Sequence, residues 1–147
     1  MWDEMRVEWL VPGRVLRVPG STDQDVIVLR NRMLLTAINN EGQKPLVHCI
    51  IDHRNQYSAA QVQRQPLQMR YYMESADETT REKLLSNPML GWVISVAIPN
   101  VAMKMAASVV SQQKNYRWRD VETIEAAFDW LSKVDSTLPD LAQTNRY

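Results

Sequence analysis

The densest group of side chains that could do chemistry lies at the end of one short apolar run. The run is Leu46–Asp52, and the polar residues in it or directly after it are His48, Cys49, Asp52, His53 and Arg54. A cysteine near a histidine could act as a nucleophile, and two histidines with a carboxylate could bind a metal ion. Ligands of open α/β sheets bind outside the carboxyl ends of strands, so the position suits a site.

Extended backbone separates the members of each possible pair. On a strand, Cys49 and His53 point to one face of the sheet, whereas His48 and Asp52 point to the other. Four residues span about 13 Å on a strand, too far for either pair to share a proton or an ion. We therefore interpret Cys49 as a core residue and Asp52 as the cap of the following turn. We expect no catalytic residue, no metal and no cofactor.

A second pattern joins basic and aromatic side chains. Arg117 and Arg119 flank Trp118, and such an arrangement can bind single-stranded nucleic acid by stacking and charge. Asp120 and Glu122 follow at once, so we interpret the arginines as charges that keep an edge strand from pairing with other sheets. No nucleic-acid partner is expected.

A third pattern is a cluster of soft, adaptable side chains that could hold a flexible partner or an apolar ligand. Its members are Met69, Tyr71, Tyr72 and Met73. A methionine or aromatic stripe most often indicates burial, and we favour ordinary core packing here.

The elements that must position these residues alternate between strands and helices. Pro12-Gly13 is a turn signal between two β-type runs, which predicts an N-terminal hairpin. The predicted strands are Val7–Val11, Arg14–Val18, Leu46–Asp52, Trp92–Ile98 and Tyr116–Val121. Of these, Trp92–Ile98 is apolar on both faces, which is typical of an interior strand.

The helices follow from caps and from apolar spacing. Ser21 or Thr22 is expected to cap a first helix that runs to about Asn40, with Ile27, Leu34 and Ile38 inside and Gly42 as its stop. Further helices are predicted over Tyr57–Met73, where Pro66 and an alternating stretch leave a strand as the alternative, and over Thr80–Leu85, Val101–Gln113 and Thr123–Val134.

The last two helices have apolar stripes that should face the sheet. In the first of them the stripe is Val101, Met105, Ser108, Val109 and Gln112, widened by Ala102, Ala106 and Val110. In the second it is Ile124, Ala127, Phe128 and Leu131. Asp135 to Tyr147 lacks any pattern and is expected to be a loose tail.

Composition restricts the class of protein. The 147 residues suit a single domain, placed at 1–134 with the tail at 135–147. Lys+Arg and Asp+Glu both number 17, so no one-signed field favours nucleic acid. The single cysteine excludes an internal disulfide. No apolar run approaches the roughly 20 residues of a membrane span, and we expect a cytoplasmic protein.

Together these segments resemble the STAS fold of anti-sigma-factor antagonists, and more specifically the STAS-like proteins of bacteria. The matching segments are Trp9–Leu16, Gly20–Asp25, Val47–Asp52, Asn87–Val93, Ala107–Gln112 and Thr123–Leu131. The resemblance implies an α/β fold with an N-terminal hairpin, then alternating strands and helices, and a mixed sheet with helices packed on it.

The antagonists carry an Asp-Ser pair whose serine is phosphorylated by a partner kinase. Here Asp52 could match the end of the corresponding strand, but the six residues after it contain no such pair. The resemblance implies a protein partner. Because the Asp-Ser pair is missing, we expect Ser58 not to be a phosphorylation switch.

The sequence thus favours a non-enzymatic regulatory domain that acts through protein–protein contacts, with a homodimer as a further option. The residues expected to meet a partner are Asp52, His53, Arg54, Tyr57, Ser58 and Asn100. The alternative is a binding module for a small apolar or lipid-like ligand held beneath residues 60–73, an idea that rests on fold analogy with CRAL-TRIO-type lipid carriers.

Overall fold

A five-stranded mixed sheet covered by helices forms the frame of the protein in the computed structural model, which describes residues 7–21, 23–54 and 79–141. The predicted α/β class is confirmed. The strands are β1 Glu8–Val11, β2 Val15–Pro19, β3 Val47–Asp52, β4 Leu90–Val96 and β5 Trp118–Val121. The described helices are α1 Gln24–Glu41, α2 Thr79–Leu85, α3 Val101–Lys114 and α4 Ile124–Val134.

The predicted hairpin is confirmed, and Pro12 and Gly13 explain its turn. The backbone N–H of Arg14 donates to the carbonyl of Val11 at 2.9 Å. Proline at the second turn position and a glycine with φ of +75° at the third make this a type II turn. β1 therefore returns antiparallel to β2.

The strands lie in chain order from β1 to β5, and β2 to β5 are parallel. Since right-handed crossovers advance across the sheet in one direction, the connecting helices belong on one face. α1 and α2 pack there against Leu16, Val18, Cys49 and Ile51, and α3 approaches the same face. α4 packs on the opposite face against Ile50, Ile94 and Val96. We call the first of these the crossover face.

The predicted interior strand is confirmed as β4, which lies between β3 and β5, although it begins at Leu90 and ends at Val96, two residues earlier at each end than predicted. Ile94 is paired with Ile50 on one side and Arg119 on the other, and its side chain is fully buried. Burial on both faces explains why this run shows little alternation.

Helix α1 begins and ends at different kinds of signal. Its N-cap is Asp23, so the expected cap by Ser21 or Thr22 is wrong. The Ser21 hydroxyl instead accepts from the backbone N–H of Asp23 at 3.0 Å, one step before the helix. Gly42 is the C-cap, as predicted, because a Cβ there would collide with the carbonyl oxygen of Ile38.

The predicted central stripe of α3 is wrong, although Ala106 and Val110, two residues predicted to widen it, do lie on the crossover face. Val101, Met105 and Val109 are 70%, 65% and 49% exposed, whereas Ala107 and Val110 contribute to the crossover face. Small and apolar residues surround the helix from 101 to 110, so spacing alone did not select a side. The exposed residues form an apolar stripe, which we call the α3 stripe.

The expectation of a loose tail from Asp135 is wrong for residues 135–141. Asp135 is buried among polar groups, and Leu141 is only 1% exposed, packed with Phe128 and Leu131. Single buried side chains hold this segment in place. The segment therefore has no helical or strand periodicity by which its sequence could reveal the packing. Residues 142–147 lie outside the described part of the chain.

No helix within the described ranges is long and apolar enough to cross a membrane.

Candidate functional site

Asp52, the first predicted partner-binding residue, is only 1% exposed. Its carboxylate accepts a bidentate pair from Arg54, with Nε at 2.9 Å and Nη2 at 2.6 Å, and also accepts from the Arg54 backbone N–H at 3.0 Å. This confirms that Asp52 caps the turn after β3. Burial raises the pKa of Asp52, but the bonds from Arg54 outweigh it and hold that pKa below its ordinary value.

Cys49 is buried on the crossover face, as predicted. Burial raises the pKa of its thiol to about 12, against a smaller opposing effect from the charge of Arg30. Because the thiolate is the nucleophile, a thiol held this far from ionisation is inert at neutral pH.

His48 points to the opposite face and takes part in a buried polar network. Its Nδ1 accepts from the backbone N–H of Trp92 at 2.9 Å, so Nε2 carries the proton and donates to Asp135 at 2.8 Å. Arg14 donates to the same carboxylate oxygen at 2.7 Å and to Thr137 at 2.9 Å. With both ring nitrogens engaged, His48 holds the fold together and has no nitrogen left to act as a base.

On the crossover face, two neighbouring cavities lie between the sheet and its helices. The larger, about 220 Å³, is lined by α1, α2, α3 and the middle of β3 and β4. The smaller, about 180 Å³, lies toward the carboxyl ends of the same strands. Their shared walls are Ile27, Arg30, Ile51, Val93, Ala107 and Tyr116. We call the pair the crossover cleft.

The smaller cavity has polar groups at its outer end. His53 follows β3 and packs so closely on Gly20 that a Cβ at Gly20 would collide with its ring. Burial lowers the pKa of His53 to about 4, so the ring is neutral at pH 7. Ser95 accepts from the indole Nε1 of Trp118 at 3.0 Å, which fixes another part of the wall.

Arg30 is the one cation that lines both cavities among the residues described. Its Nε is buried and has no hydrogen-bond partner in the described part of the chain. Its Nη2 donates to Asn31 over a long 3.4 Å. A guanidinium with spare donors inside a cleft is a binding group for an anion.

The sequence interpretation missed Arg30 and Tyr116. A signal for Arg30 was present, since it falls three residues after Ile27 and four before Leu34 on the inner side of α1. Tyr116 carried no such signal, because it precedes β5 and reaches the cleft only through the crossover from α3.

The remaining predicted residues are either engaged elsewhere or not described. Asn100 caps α3 by accepting from the Met103 backbone N–H at 2.9 Å. The Arg119 guanidinium lies 4.0 Å from the centre of the Trp130 ring, on the edge strand predicted for it. Tyr57, Ser58, Met69, Tyr71, Tyr72, Met73 and the helix predicted over 57–73 lie outside the described residues. The binding roles predicted for all of these residues stay predictions.

Metal-ligating types do not gather in groups of three or more anywhere in the described ranges. The expected absence of a metal and of catalytic residues also stays a prediction.

The chain matches no protein-family model, no curated protein and no solved structure. The resemblance to STAS-like proteins therefore stays a prediction, and the function of this chain has to be inferred from the crossover cleft itself.

Proposed function

We propose that this protein is a non-enzymatic module that binds a small, mainly apolar molecule in the crossover cleft. The observation that carries the proposal is the cleft between α1, α3 and the parallel strands, with cavities of about 220 and 180 Å³. Concave clefts with mainly apolar walls and a few polar groups are typical of small-molecule sites.

The walls of the cleft favour an apolar occupant. Most of the larger cavity is walled by aliphatic side chains, namely Ile27, Leu34, Ile51, Leu84, Leu85, Leu90, Val93 and Val110. Ligand sites are mostly apolar with a few polar groups that fix orientation. The smaller cavity supplies such groups at the carboxyl ends of β3 and β4, where α/β sheets bind their ligands.

The same geometry supports binding over catalysis. Cys49 lines the larger cavity, but its thiol is protonated at neutral pH. The Asp135–His48 pair lies on the opposite face and ends on a backbone N–H rather than on a nucleophile.

Membership of the STAS-like proteins remains a proposal as well, supported by the hairpin followed by alternating strands and helices.

Blocking the cleft tests the function. Ala107 lines both cavities, so Ala107→Trp should fill them, and Ala102→Trp on the exposed side of the same helix is the matched control. Octanol is the probe, and amide chemical shifts report its binding. We expect shifts at Ile27, Val93 and Ala107 in the wild type and in Ala102→Trp, and none in a folded Ala107→Trp protein. Unchanged wild-type spectra at saturating octanol would overturn the proposal.

A second candidate function is contact between two copies of this chain through the α3 stripe. Val101, Met105 and Val109 leave a continuous apolar surface in water, which is typical of protein contact sites. The net charge is zero, so two copies do not repel each other.

Sedimentation over a range of concentrations tests this candidate. We expect the wild type to dimerise and Met105→Glu to stay monomeric. Val134→Glu changes an exposed valine outside the stripe and should still dimerise. A wild type that is monomeric at all concentrations would exclude the homodimer.

A further inference from the structure

We propose that the crossover cleft binds small amphipathic carboxylates and that the Arg30 guanidinium receives the acid group. The inference rests on the ligand-binding function proposed above, and it adds the charge of the ligand and the residue that recognises it.

Arg30 has a positive charge that no described residue neutralises. Among the described residues, Arg30 forms no ion pair and its buried Nε has no hydrogen-bond partner. Burial lowers the pKa of its guanidinium to about 10, against smaller opposing effects from Tyr116 and Cys49, so the group stays charged at pH 7. Because an uncompensated buried charge destabilises a fold, this arrangement is best suited to receiving an anion.

The residues around Arg30 strengthen the preference for an anion. Arg81 also lines the larger cavity, and the described wall residues of the two cavities include no aspartate or glutamate. His53 is neutral at pH 7, so it adds no charge of its own. Walls whose described residues are cationic or neutral favour negative groups over positive ones.

The number and shape of the charges favour a carboxylate over a phosphate. A guanidinium presents a planar fork that matches the two oxygens of a carboxylate. Arg30 offers one positive charge with a buried Nε, whereas the Arg81 side chain is exposed. A singly charged carboxylate is therefore balanced inside the cleft, but a phosphate dianion would leave one buried negative charge unpaired.

The position of Arg30 also orients the rest of the ligand. Arg30 lies on the wall that the two cavities share, and beyond it the larger cavity is bounded by Leu34, Leu84 and Leu90. An acid group at Arg30 thus places an apolar chain among these leucines. Sites for drug-sized ligands begin at about 300 Å³, so cavities of 220 and 180 Å³ suit a short chain.

Calorimetric titration with octanoate and with octanol separates the charge from the chain. Arg30→Met keeps an unbranched apolar side chain and removes the charge. Arg32→Met is the matched control, because Arg32 lies on the same helix with its Nε also buried and unpartnered among the described residues, yet it lines neither cavity. We expect Arg30→Met to weaken octanoate about ten- to a hundred-fold and octanol less than about twofold. Arg32→Met should change neither.

The outcomes distinguish this inference from the function on which it rests. If octanol binds but octanoate affinity is unchanged in Arg30→Met, the role of Arg30 is wrong and the apolar site stands. If neither compound binds the wild type, both proposals fall. Tighter binding of octyl phosphate than of octanoate would overturn the preference for a carboxylate. If Arg30→Met does not fold, Arg30→Lys is the second variant, because it keeps the charge and removes the planar fork. An Arg30→Lys protein that binds octanoate with wild-type affinity would contradict the proposal.

Discussion

Single side chains hold the end of the described chain against the sheet. Asp135 accepts hydrogen bonds from Arg14 and His48, and its own backbone follows directly after α4. Burial raises the pKa of Asp135. Hydrogen bonds from Thr137 and His48, together with the charge of Arg14, outweigh burial and lower that pKa to about 2. The carboxylate is therefore ionised at neutral pH, and it keeps the Arg14 charge paired.

Replacing Asp135 with asparagine should destabilise the protein strongly. The change leaves the Arg14 guanidinium buried without its counter-charge, and breaking such a pair costs about 3–5 kcal/mol. Urea unfolding at pH 7 measures the loss. Asp129→Asn on the exposed side of α4 is the control and should stay within about 0.5 kcal/mol of wild type. A wild-type stability in Asp135→Asn would mean that the network contributes nothing.

Cys49 should be protected from thiol reagents in the folded protein. Its side chain is buried and its thiol pKa is raised to about 12, so reactive thiolate is scarce. Mass spectrometry after brief iodoacetamide treatment at about pH 8 should find no label without urea and complete labelling of the chain's single cysteine in urea. Rapid labelling of the native protein would contradict both the burial and the absence of a nucleophile.

At the level of elements, the sequence predicts a helix face well only where polar residues separate the apolar ones. In α4, Glu125 and Asp129 lie between apolar positions, and the predicted residues Ile124, Ala127, Phe128 and Leu131 are all buried. In α3 the apolar residues surround the helix, so only the contacts made in three dimensions decide which side is inside. Val101, Met105 and Val109 of the predicted stripe then proved to be exposed.

Truncating a residue of each helix tests this assignment of faces. Val109→Ala on the α3 stripe should change the free energy of unfolding by less than about 0.5 kcal/mol. Leu131→Ala on α4 removes a fully buried side chain and should cost about 2–5 kcal/mol. A cost of about 2 kcal/mol or more for Val109→Ala would restore the original prediction that this stripe packs on the sheet.

For the whole molecule, local signals predicted the strands and helices, but the candidate site is built from distant segments. Pro12-Gly13 and the apolar run at Ile94 each carry their own signal. Arg30 and Tyr116 come together only when α1 and β5 are placed on the same sheet, and the partnership of His48 with Asp135 joins residues 87 positions apart. Pairings of this kind have no period or motif, so a single sequence does not reveal them.

Stability should fall as the pH is lowered below the ordinary histidine pKa of about 6.5. Burial lowers the pKa of His48, against an opposing hydrogen bond to Asp135, and lowers that of His53 to about 4. Between about pH 6.5 and these lowered pKa values, the two histidine rings bind protons in the unfolded chain but not in the folded chain. Unfolding is therefore favoured as the pH falls. Each histidine adds at most about 1.4 kcal/mol per pH unit.

Urea unfolding between about pH 8 and pH 5 measures this slope. His53→Gln should reduce it, because the variant retains one of the two titrating rings. A free energy of unfolding that is constant over this range would show that both rings take up protons in the folded state.

The contact between Arg14 and Asp135 also orders events in time during synthesis. These residues are 121 positions apart, so the ribosome makes the turn of the hairpin long before it makes the carboxylate that neutralises Arg14. Until Asp135 emerges, the growing chain keeps Arg14 and His48 in water, since burying either one alone is unfavourable. We therefore expect the native sheet to close late, with the apolar strands of the nascent chain open to chaperones until then.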